Sequence, residues 1–274
     1  MKQIHITENA VKHHEELFPN HESKLQKTDP EFIALFDNWA FDEVIRQSQL
    51  DTKTRVMMIL ASTIASQALG EYKVMVGAAL NVGLTPVVIK EILYQSVPYV
   101  GVAKVFDFLH ATNAVFREQG IELPLESQST TTAETRFDKG VAAQKAIFGE
   151  AIDKMRQQAP SDQLHIQDFL AANCFGDYYT RNGIDLKTRE LLTFAMLISL
   201  GGCEPQVKGH VTGNLKIGND RARLIDVVTQ LLPYIGYPRT LNALGMIDEV
   251  VSPTNIRGGD SVFSKKMALK SGVS

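Results

Sequence analysis

The chain repeats itself, and this repetition constrains its fold more than any other feature. An Asp-x-Lys-Thr-Arg segment begins at Asp51 and recurs 134 residues later at Asp185. A Gln-x-x-Pro-Tyr-x-Gly segment begins at Gln95 and recurs 135 residues later at Gln230. Two signatures in the same order and at nearly the same separation indicate a tandem duplication, so we expect two copies of one structural unit.

Each copy has the periodicity of helices and lacks the alternation that is typical of strands. The aspartate that opens the first signature is predicted to be a helix N-cap in both copies. Gly83 and Gly218 are predicted to end helices in the left-handed conformation. Pro98 and Pro233 are predicted to break the helices that carry the second signature. The sequence therefore predicts an all-α protein made of two tandem helical units.

Polar segments flank and separate the two units. We place the units at residues 30–118 and 141–251. The preceding segment, 1–29, carries four scattered histidines in no metal-binding pattern and is predicted to be a solvated, partly ordered extension. The segment 119–140 is threonine-rich and is predicted to be a linker, and 252–274 is predicted to be a C-terminal arm.

Composition excludes several classes of function. The formal net charge of −3 is too close to neutral to indicate binding to nucleic acid or to an anionic membrane. We find neither a signal peptide nor the roughly 18 apolar residues of a membrane helix, so we expect a cytoplasmic protein. No dinucleotide fingerprint, phosphate loop or zinc-ligand spacing occurs, so we expect no bound cofactor or metal.

Three side chains that are suited to chemistry occur in the second copy and are missing from the first. They are Glu190, Cys203 and His210. The equivalent positions of the first copy carry Val56, Ala68 and Met75. This joint absence indicates that the three residues form one working group in the second copy and that the first copy is degenerate.

The local sequence predicts where these residues lie. A Gly-Gly pair ends the helix before Cys203 and Pro205 starts the next, so Cys203 lies at a helix N-terminus that favours a thiolate. His210 lies two turns further on, about 10 Å along an ideal axis. Gln206 lies on the same helix face as His210 and is a candidate bridge between His210 and Cys203. Glu190 comes from the preceding helix and is a candidate orienting or proton-relay group.

Simpler alternatives remain open at this point for each of these residues. Cys203 could be an inert packing residue, His210 a surface histidine, and Glu190 a complement to a helix dipole. The other cysteine, Cys174, lies opposite Ala40 of the first copy. Burial as a packing residue is the favoured interpretation for Cys174, and a resolving thiol for Cys203 is the alternative. With only two cysteines, the chain has no disulfide scaffold.

The second copy resembles the carboxymuconolactone decarboxylase family, which includes the alkylhydroperoxidase D-like proteins. The residues that carry the match are 189–192, 202–210, 214–218 and 232–238. The resemblance covers 169–250 well and 32–116 as a degenerate copy. It implies an all-helical fold that assembles into a ring, so that a two-unit chain suggests a homotrimer, with a dimer as the alternative. The hydroperoxidase branch uses Glu…Cys-x-x-Cys…His, and here Gln206 occupies the second cysteine position.

The resemblance implies two enzymatic functions. In the first, which the helix-start cysteine favours, the protein is a thiol-dependent peroxidase, an antioxidant oxidoreductase of peroxiredoxin type. Cys203 attacks a hydroperoxide while His210 and Glu190 move protons. The resulting sulfenic acid is resolved by Cys174 or by an external thiol reductant.

The second implied function is that of a decarboxylase, a carboxy-lyase that acts on a small lactone or carboxylic acid. His210 is then the acid or base, and Glu190 orients it. Lys208 and Arg189 are candidate anchors for the substrate carboxylate. A non-catalytic helical oligomer that binds a small ligand is the third interpretation.

Overall fold

The computed structural model describes residues 5–21 and 23–253, which form helices joined by short loops. The predicted C-terminal arm lies outside the described residues from 254 onward. The first half contains α1 (Glu8–Leu17), α2 (Leu25–Thr28), α3 (Pro30–Asn38), a first π-helix (Trp39–Glu43), α4 (Thr52–Ala65), α5 (Leu69–Asn81), α6 (Pro86–Val100) and α7 (Phe106–Glu118). The second half contains α8 (Arg136–Phe148), α9 (Ala151–Gln157), α10 (Leu164–Phe169), a second π-helix (Leu170–Tyr179), α11 (Leu186–Leu200), α12 (Glu204–Lys216) and α13 (Arg221–Val250). The prediction of an all-α fold with two tandem units is confirmed.

The structural repeat is longer than the sequence repeat. Helix α1 occupies the place in the first half that α8 occupies in the second. Asn81 Nδ2 of α5 donates a hydrogen bond to the carbonyl oxygen of Leu17 at 2.9 Å. Lys216 Nζ of α12, 135 positions later, donates to the carbonyl oxygen of Phe148 at 2.6 Å. Each unit therefore begins with a helix that the repeated signatures do not include, and the boundaries at residues 30 and 141 are too late for both units.

Residues 8–17 of the predicted solvated, partly ordered extension form a helix that packs on the first unit through one face. Helix α1 is capped by Thr7, whose side chain accepts from the Ala10 amide. Ala10 and Leu17 are fully buried, and His13 Nδ1 lies 2.7 Å from the Phe41 carbonyl oxygen. The two buried residues are seven positions apart and so share one helix face, a narrow apolar stripe that the polar composition of the segment hid.

The predicted linker ends earlier than expected, because α8 begins at Arg136. The part before α8 is attached to the second unit: the Asn182 amide donates to the Gln128 carbonyl oxygen at 2.9 Å. Thr130 Oγ1 donates to the Thr180 carbonyl oxygen at 2.8 Å. The connection between the units is thus fixed against the surface of the second unit.

The helix caps follow the prediction. Asp51 and Asp185 are the N-caps of α4 and α11, and each carboxylate accepts from the amide three residues on at 2.9 Å. Gly83 and Gly218 have φ angles of +77° and +94°, the left-handed region in which glycine is favoured.

The predicted helix breaks at the prolines were wrong. Pro98 and Pro233 lie inside helices that continue past them. The chain changes direction a few residues later, at Gly101 (φ 87°) and Gly236 (φ 73°). A proline removes one helical hydrogen bond but keeps a helical φ, whereas a positive φ ends the helical geometry.

The helices that carry the Gln-x-x-Pro-Tyr-x-Gly signature, α6 and α13, each pack against both units around one continuous core. Helix α6 of the first unit packs against α11 of the second, and α13 of the second unit packs against α4 of the first. Helices α4 and α11 also pack against each other, with Ser199 Oγ 2.8 Å from Ser62 Oγ. Among residues 5–21 and 23–253, no helix is long and apolar enough to cross a membrane.

The packing of α8 against the second π-helix can be tested at Gly140. A Cβ atom at Gly140 would overlap the carbonyl oxygen of Ala171, whereas one at Gly77 of α5 would meet nothing within 4 Å. We expect Gly77→Ala to raise the free energy of unfolding by up to about 1 kcal/mol. We expect Gly140→Ala to lower it by about 1–3 kcal/mol despite the same gain in helix propensity. Urea denaturation measures the free energy of unfolding of both variants. Equal changes in the two variants would contradict the close approach of α8 to the second π-helix.

Candidate active site

The centre of the candidate site is a buried carboxylate with two partners. Glu190 is the fifth residue of α11, in its second turn, and is fully buried. Its Oε2 atom lies 2.9 Å from Nδ1 of His210, and its Oε1 atom accepts from the hydroxyl of Tyr179 at 2.8 Å. The structure therefore brings two of the three predicted residues into direct contact.

His210 projects from α12 between two aromatic rings. The rings of Tyr99 and Phe148 meet the imidazole edge to face, with centroid distances of 5.7 and 5.5 Å. Only 9% of the His210 surface is exposed. Because Nδ1 is bonded to Glu190, Nε2 is the ring nitrogen that remains for proton transfer.

Small and polar neighbours hold α11 and α12 at the distance that this pair needs. Asn214 Nδ2 donates to the carbonyl oxygens of Glu190 and His210, at 3.1 and 2.7 Å. A Cβ atom at Gly213 would lie 2.7 Å from Glu190 Oε2. The close approach of the two helices therefore depends on a glycine at that position.

Two tyrosines and a threonine extend the network behind Glu190. The hydroxyl of Tyr179 lies 2.7 Å from both the Tyr99 hydroxyl and Thr193 Oγ1. Gln95 Nε2 donates to Thr193 Oγ1 at 3.2 Å. Burial, with the nearby Glu190 carboxylate, raises the pKa of Tyr179 well above its usual value. Burial, with Cys174 and Glu190, does the same to the pKa of Tyr99. Both phenols therefore stay neutral.

Tyr99 and Gln95 come from the first unit, and sequence reasoning missed their part in the site. The repeated Gln-x-x-Pro-Tyr-x-Gly signature was the available signal, because it persists in the copy that lost its own reactive residues. The first-copy positions equivalent to Tyr179 and Thr193 carry Ile45 and Ile59. The comparison of copies that identified Glu190 would have identified these two residues as well.

Cys203 is placed at the N-cap of α12, as predicted, but the expected stabilisation of a thiolate was wrong. Burial, followed by the neighbouring Glu204 carboxylate, raises the pKa of the Cys203 thiol. The Sγ atom lies 3.3 Å from the carbonyl oxygen of Leu197, the bond expected of a neutral thiol. The helix dipole is outweighed because the thiol is half buried and beside a carboxylate.

Cys174 is a buried residue of the second π-helix. It packs in an apolar cluster with Ile147, Phe175 and Tyr179, whereas Cys203 packs against the main core. Its Sγ atom lies 3.8 Å from the Tyr99 hydroxyl, and burial raises its pKa to about 12. Both cysteines are free thiols. This environment favours the interpretation of Cys174 as a packing residue.

The supporting residues do not surround His210 as expected. Arg189 is fully buried and bonds Glu91 at 2.8 Å and Gln95 at 3.0 Å, so it cannot anchor a substrate carboxylate. Lys208 forms an ion pair with Glu249 on the surface. Gln206 is exposed, and the hydrogen bond of Cys203 goes to Leu197 rather than through it.

The arrangement is suited to proton transfer by an imidazole that a buried carboxylate holds in place. The equivalent residues of the first unit, Val56 and Met75, are buried and apolar, so that unit has no such pair. Across the described ranges 5–21 and 23–253, no three His, Cys, Asp or Glu side chains are grouped as metal ligands would be.

Comparison with known proteins gives matches to both halves of the chain. The model of the carboxymuconolactone decarboxylase family matches residues 30–114 and 165–249. The chain is similar to 4-carboxymuconolactone decarboxylase of Acinetobacter baylyi, with 24% identity over 124 residues, 45% of this chain and 92% of that protein. It is also similar to an uncharacterized 15.0 kDa protein of Paracoccus denitrificans, with 29% identity over 101 residues, 36% of this chain and 70% of that protein.

The thiol environments predict a slow and alkaline alkylation profile. Because its pKa is raised, Cys203 holds less thiolate at neutral pH than a free cysteine does. We expect iodoacetamide to modify Cys203 at pH 7 more slowly than it modifies glutathione, with the rate still rising above pH 9, as followed by intact mass. In Cys203→Ser, the remaining Cys174 should react only after denaturation. Fast modification of Cys203 at pH 6–7 would contradict this assignment.

Proposed function

The chain belongs to the carboxymuconolactone decarboxylase family, and we propose that it is an acid–base enzyme, a carboxy-lyase that acts on a small lactone or carboxylic acid. One observation carries this proposal: His210 Nδ1 is bonded at 2.9 Å to the buried carboxylate of Glu190. The similarity to a 4-carboxymuconolactone decarboxylase is in line with it.

The proposed reaction uses the free nitrogen of the imidazole. The substrate carboxylate leaves as CO₂, and its bonding electron pair stays on the adjacent carbon, where a neighbouring carbonyl delocalises it. The Nε2–H of protonated His210 then gives a proton to that carbon, and the imidazole recovers one from water. Glu190 stabilises the imidazolium before this transfer, because Nδ1–H donates to its carboxylate. Tyr179 holds the other carboxylate oxygen and so limits rotation of Glu190.

A thiol-dependent peroxidase of peroxiredoxin type is the second candidate. Its supporting observation is the position of Cys203 at the N-cap of α12, only partly buried. Two observations weigh against it. The thiol bonds the Leu197 carbonyl oxygen rather than His210 or Glu190, and its pKa is raised. A peroxidase needs the opposite shift, because the thiolate is the nucleophile.

Substitution of the His210–Glu190 pair and of Cys203 separates the lyase from the peroxidase. We expect His210→Gln and Glu190→Gln each to reduce decarboxylation by 10²-fold or more, because each removes one partner of the proton-transfer pair. Cys203→Ser should retain activity within a few-fold. The assay follows CO₂ release from 4-carboxymuconolactone and then from a panel of other lactone acids.

The same proteins are then treated with cumene hydroperoxide. Rapid gain of one oxygen on Cys203, abolished in Cys203→Ser, together with no decarboxylation of any acid, would replace the lyase with the peroxidase. If no variant changes turnover of either kind, the non-catalytic ligand-binding interpretation is the one left.

We further propose that the chain forms a homotrimer, with a dimer as the alternative. The support is a set of large apolar side chains that stay exposed at the same positions of both units. On α3 and α10, the equivalent pairs are Phe32 with Ile166 and Leu35 with Phe169. After the changes of chain direction at Gly101 and Gly236, the equivalent pairs are Val102 with Tyr237 and Phe106 with Leu241. Repeated exposure of equivalent apolar residues is the pattern expected where copies of the unit pack side by side.

The assembly can be tested by light scattering coupled to size exclusion. We expect three times the chain mass for the native protein, and a lower mass for Phe32→Glu combined with Phe169→Glu, because charges are costly in an apolar interface. Lys154→Glu, on an exposed part of α9, is the control and should keep the native mass. A monomeric native protein at micromolar concentration would contradict the proposal, and a mass of two chains would select the dimer.

A further inference from the structure

A cavity of about 680 Å³ lies away from His210, between the two units and the chain segment that joins them. One wall is formed by Lys90 and Tyr94 of α6 and by Asn113 of α7. Tyr178 and Arg181, at the end of the second π-helix, form another wall. The joining segment, residues 123–128, forms the remaining side. This volume is within the range of small-molecule sites.

The buried charges around this cavity do not balance. Glu91, which is 1% exposed, accepts from both Arg181 and Arg189 at 2.8–3.0 Å. Lys90 is 8% exposed, and its hydrogen-bond partner is the neutral amide oxygen of Asn113. Two arginines therefore share one buried carboxylate, Lys90 has none, and the remaining acidic residue of the wall, Glu126, is exposed.

Such an excess of positive charge is costly in a protein interior. A buried cation normally has a carboxylate or an ion as its partner, because a neutral hydrogen bond does not recover the lost hydration. The ammonium group of Lys90 has three donors, of which Asn113 takes one. Burial lowers the pKa of Lys90, in line with a missing counter-ion.

The duplication gives an internal control for this arrangement. At the equivalent positions around the other unit, Lys90, Tyr94 and Arg181 are replaced by Ile225, Thr229 and Gln47. Neither cation is thus required by the fold, since the same framework packs without them. The two cations and the aromatic residue occur together only on the face that the joining segment covers.

We propose that this cavity binds a small organic anion, whose carboxylate or phosphate group pairs with Lys90 and Arg181. Tyr94 already stacks on Arg181, with the guanidinium carbon 5.0 Å from the ring centroid, and so holds that cation in place. Val87 and Leu125 supply apolar wall for the body of the ligand. The site is separate from the Glu190–His210 pair and does not depend on the function proposed for it.

Binding is measured by isothermal titration calorimetry and by thermal unfolding, with benzoate, phenyl phosphate and the neutral benzamide as probes. We expect one or both anions to bind and to raise the melting temperature, and benzamide to do neither. The stronger of the two anions identifies the carboxylate or the phosphate as the preferred group. Lys90→Met should weaken anion binding at least about tenfold, because it removes a charge-assisted partner.

Two features distinguish lost recognition from lost folding. Without ligand, Lys90→Met should melt at a higher temperature than the native protein, because it removes a buried cation that has no carboxylate partner. Arg181→Gln, which installs the residue of the equivalent position, should weaken anion binding as well. Lys73→Met makes the same charge change at an exposed position of α5 and should bind the anions like the native protein.

Three results would overturn the proposal. The first is the absence of anion binding to the native protein. The second is equal affinity for benzoate and benzamide, since charge would then play no part. The third is unchanged anion affinity in both Lys90→Met and Arg181→Gln. None of these readouts uses turnover, so the proposal stands or falls independently of the lyase assay.

Discussion

The ion pair between Arg189 and Glu91 is the interaction on which the candidate site depends. Both side chains are almost completely buried, and they join α11 of the second unit to α6 of the first. A buried ion pair is costly to break, because removal of one partner leaves an uncompensated charge in the interior. Arg189 immediately precedes Glu190 in the chain. This contact between the units therefore also fixes the helix turn from which the site carboxylate projects.

The same contact is missing on the other side of the duplication. Arg55, the equivalent of Arg189, is buried, and its Nε and Nη2 atoms have no hydrogen-bond partner in the described part of the chain. The equivalent of Glu91 is the shorter Asp226, which accepts from the Gln49 amide. Around Arg55, the first unit has also replaced the carboxylate and imidazole positions with apolar residues. One interface thus kept its polar connections and its reactive pair, whereas the other lost both.

The sequence predicted what local rules determine and missed what tertiary packing determines. Asp51 and Gly83 act on their own helices, so their roles as caps followed from residue type alone. The pairing of Glu190 with His210 followed from a comparison of the two copies. The stabilisation of the Cys203 thiolate was misjudged because local sequence shows the position of Cys203 at a helix start, whereas its burial depends on tertiary packing. The part played by Tyr99 was missed because Tyr99 belongs to the first unit but acts in the site of the second. Only the packing of α6 against the second unit reveals this.

The packing of α6 against α11 also sets the direction of hydrogen bonding through the site. Because Arg189 donates to Gln95 Oε1, the amide of Gln95 must turn its nitrogen towards Thr193. The Tyr179 hydroxyl donates its one proton to Glu190, so in its contact with Thr193 the Tyr179 oxygen is the acceptor and the Thr193 hydroxyl the donor.

This chain of donors ends on Glu190, which is left as the acceptor, the role that an ionised carboxylate fills. When that carboxylate is ionised, its hydrogen bond with His210 requires a proton on Nδ1. Nε2 is then the ring nitrogen that is free to take up a proton, and the network that begins at Arg189 holds the Glu190 carboxylate in place for it. This network runs through residues of both units, because Gln95 and Tyr99 come from the first unit and Thr193 and Tyr179 from the second.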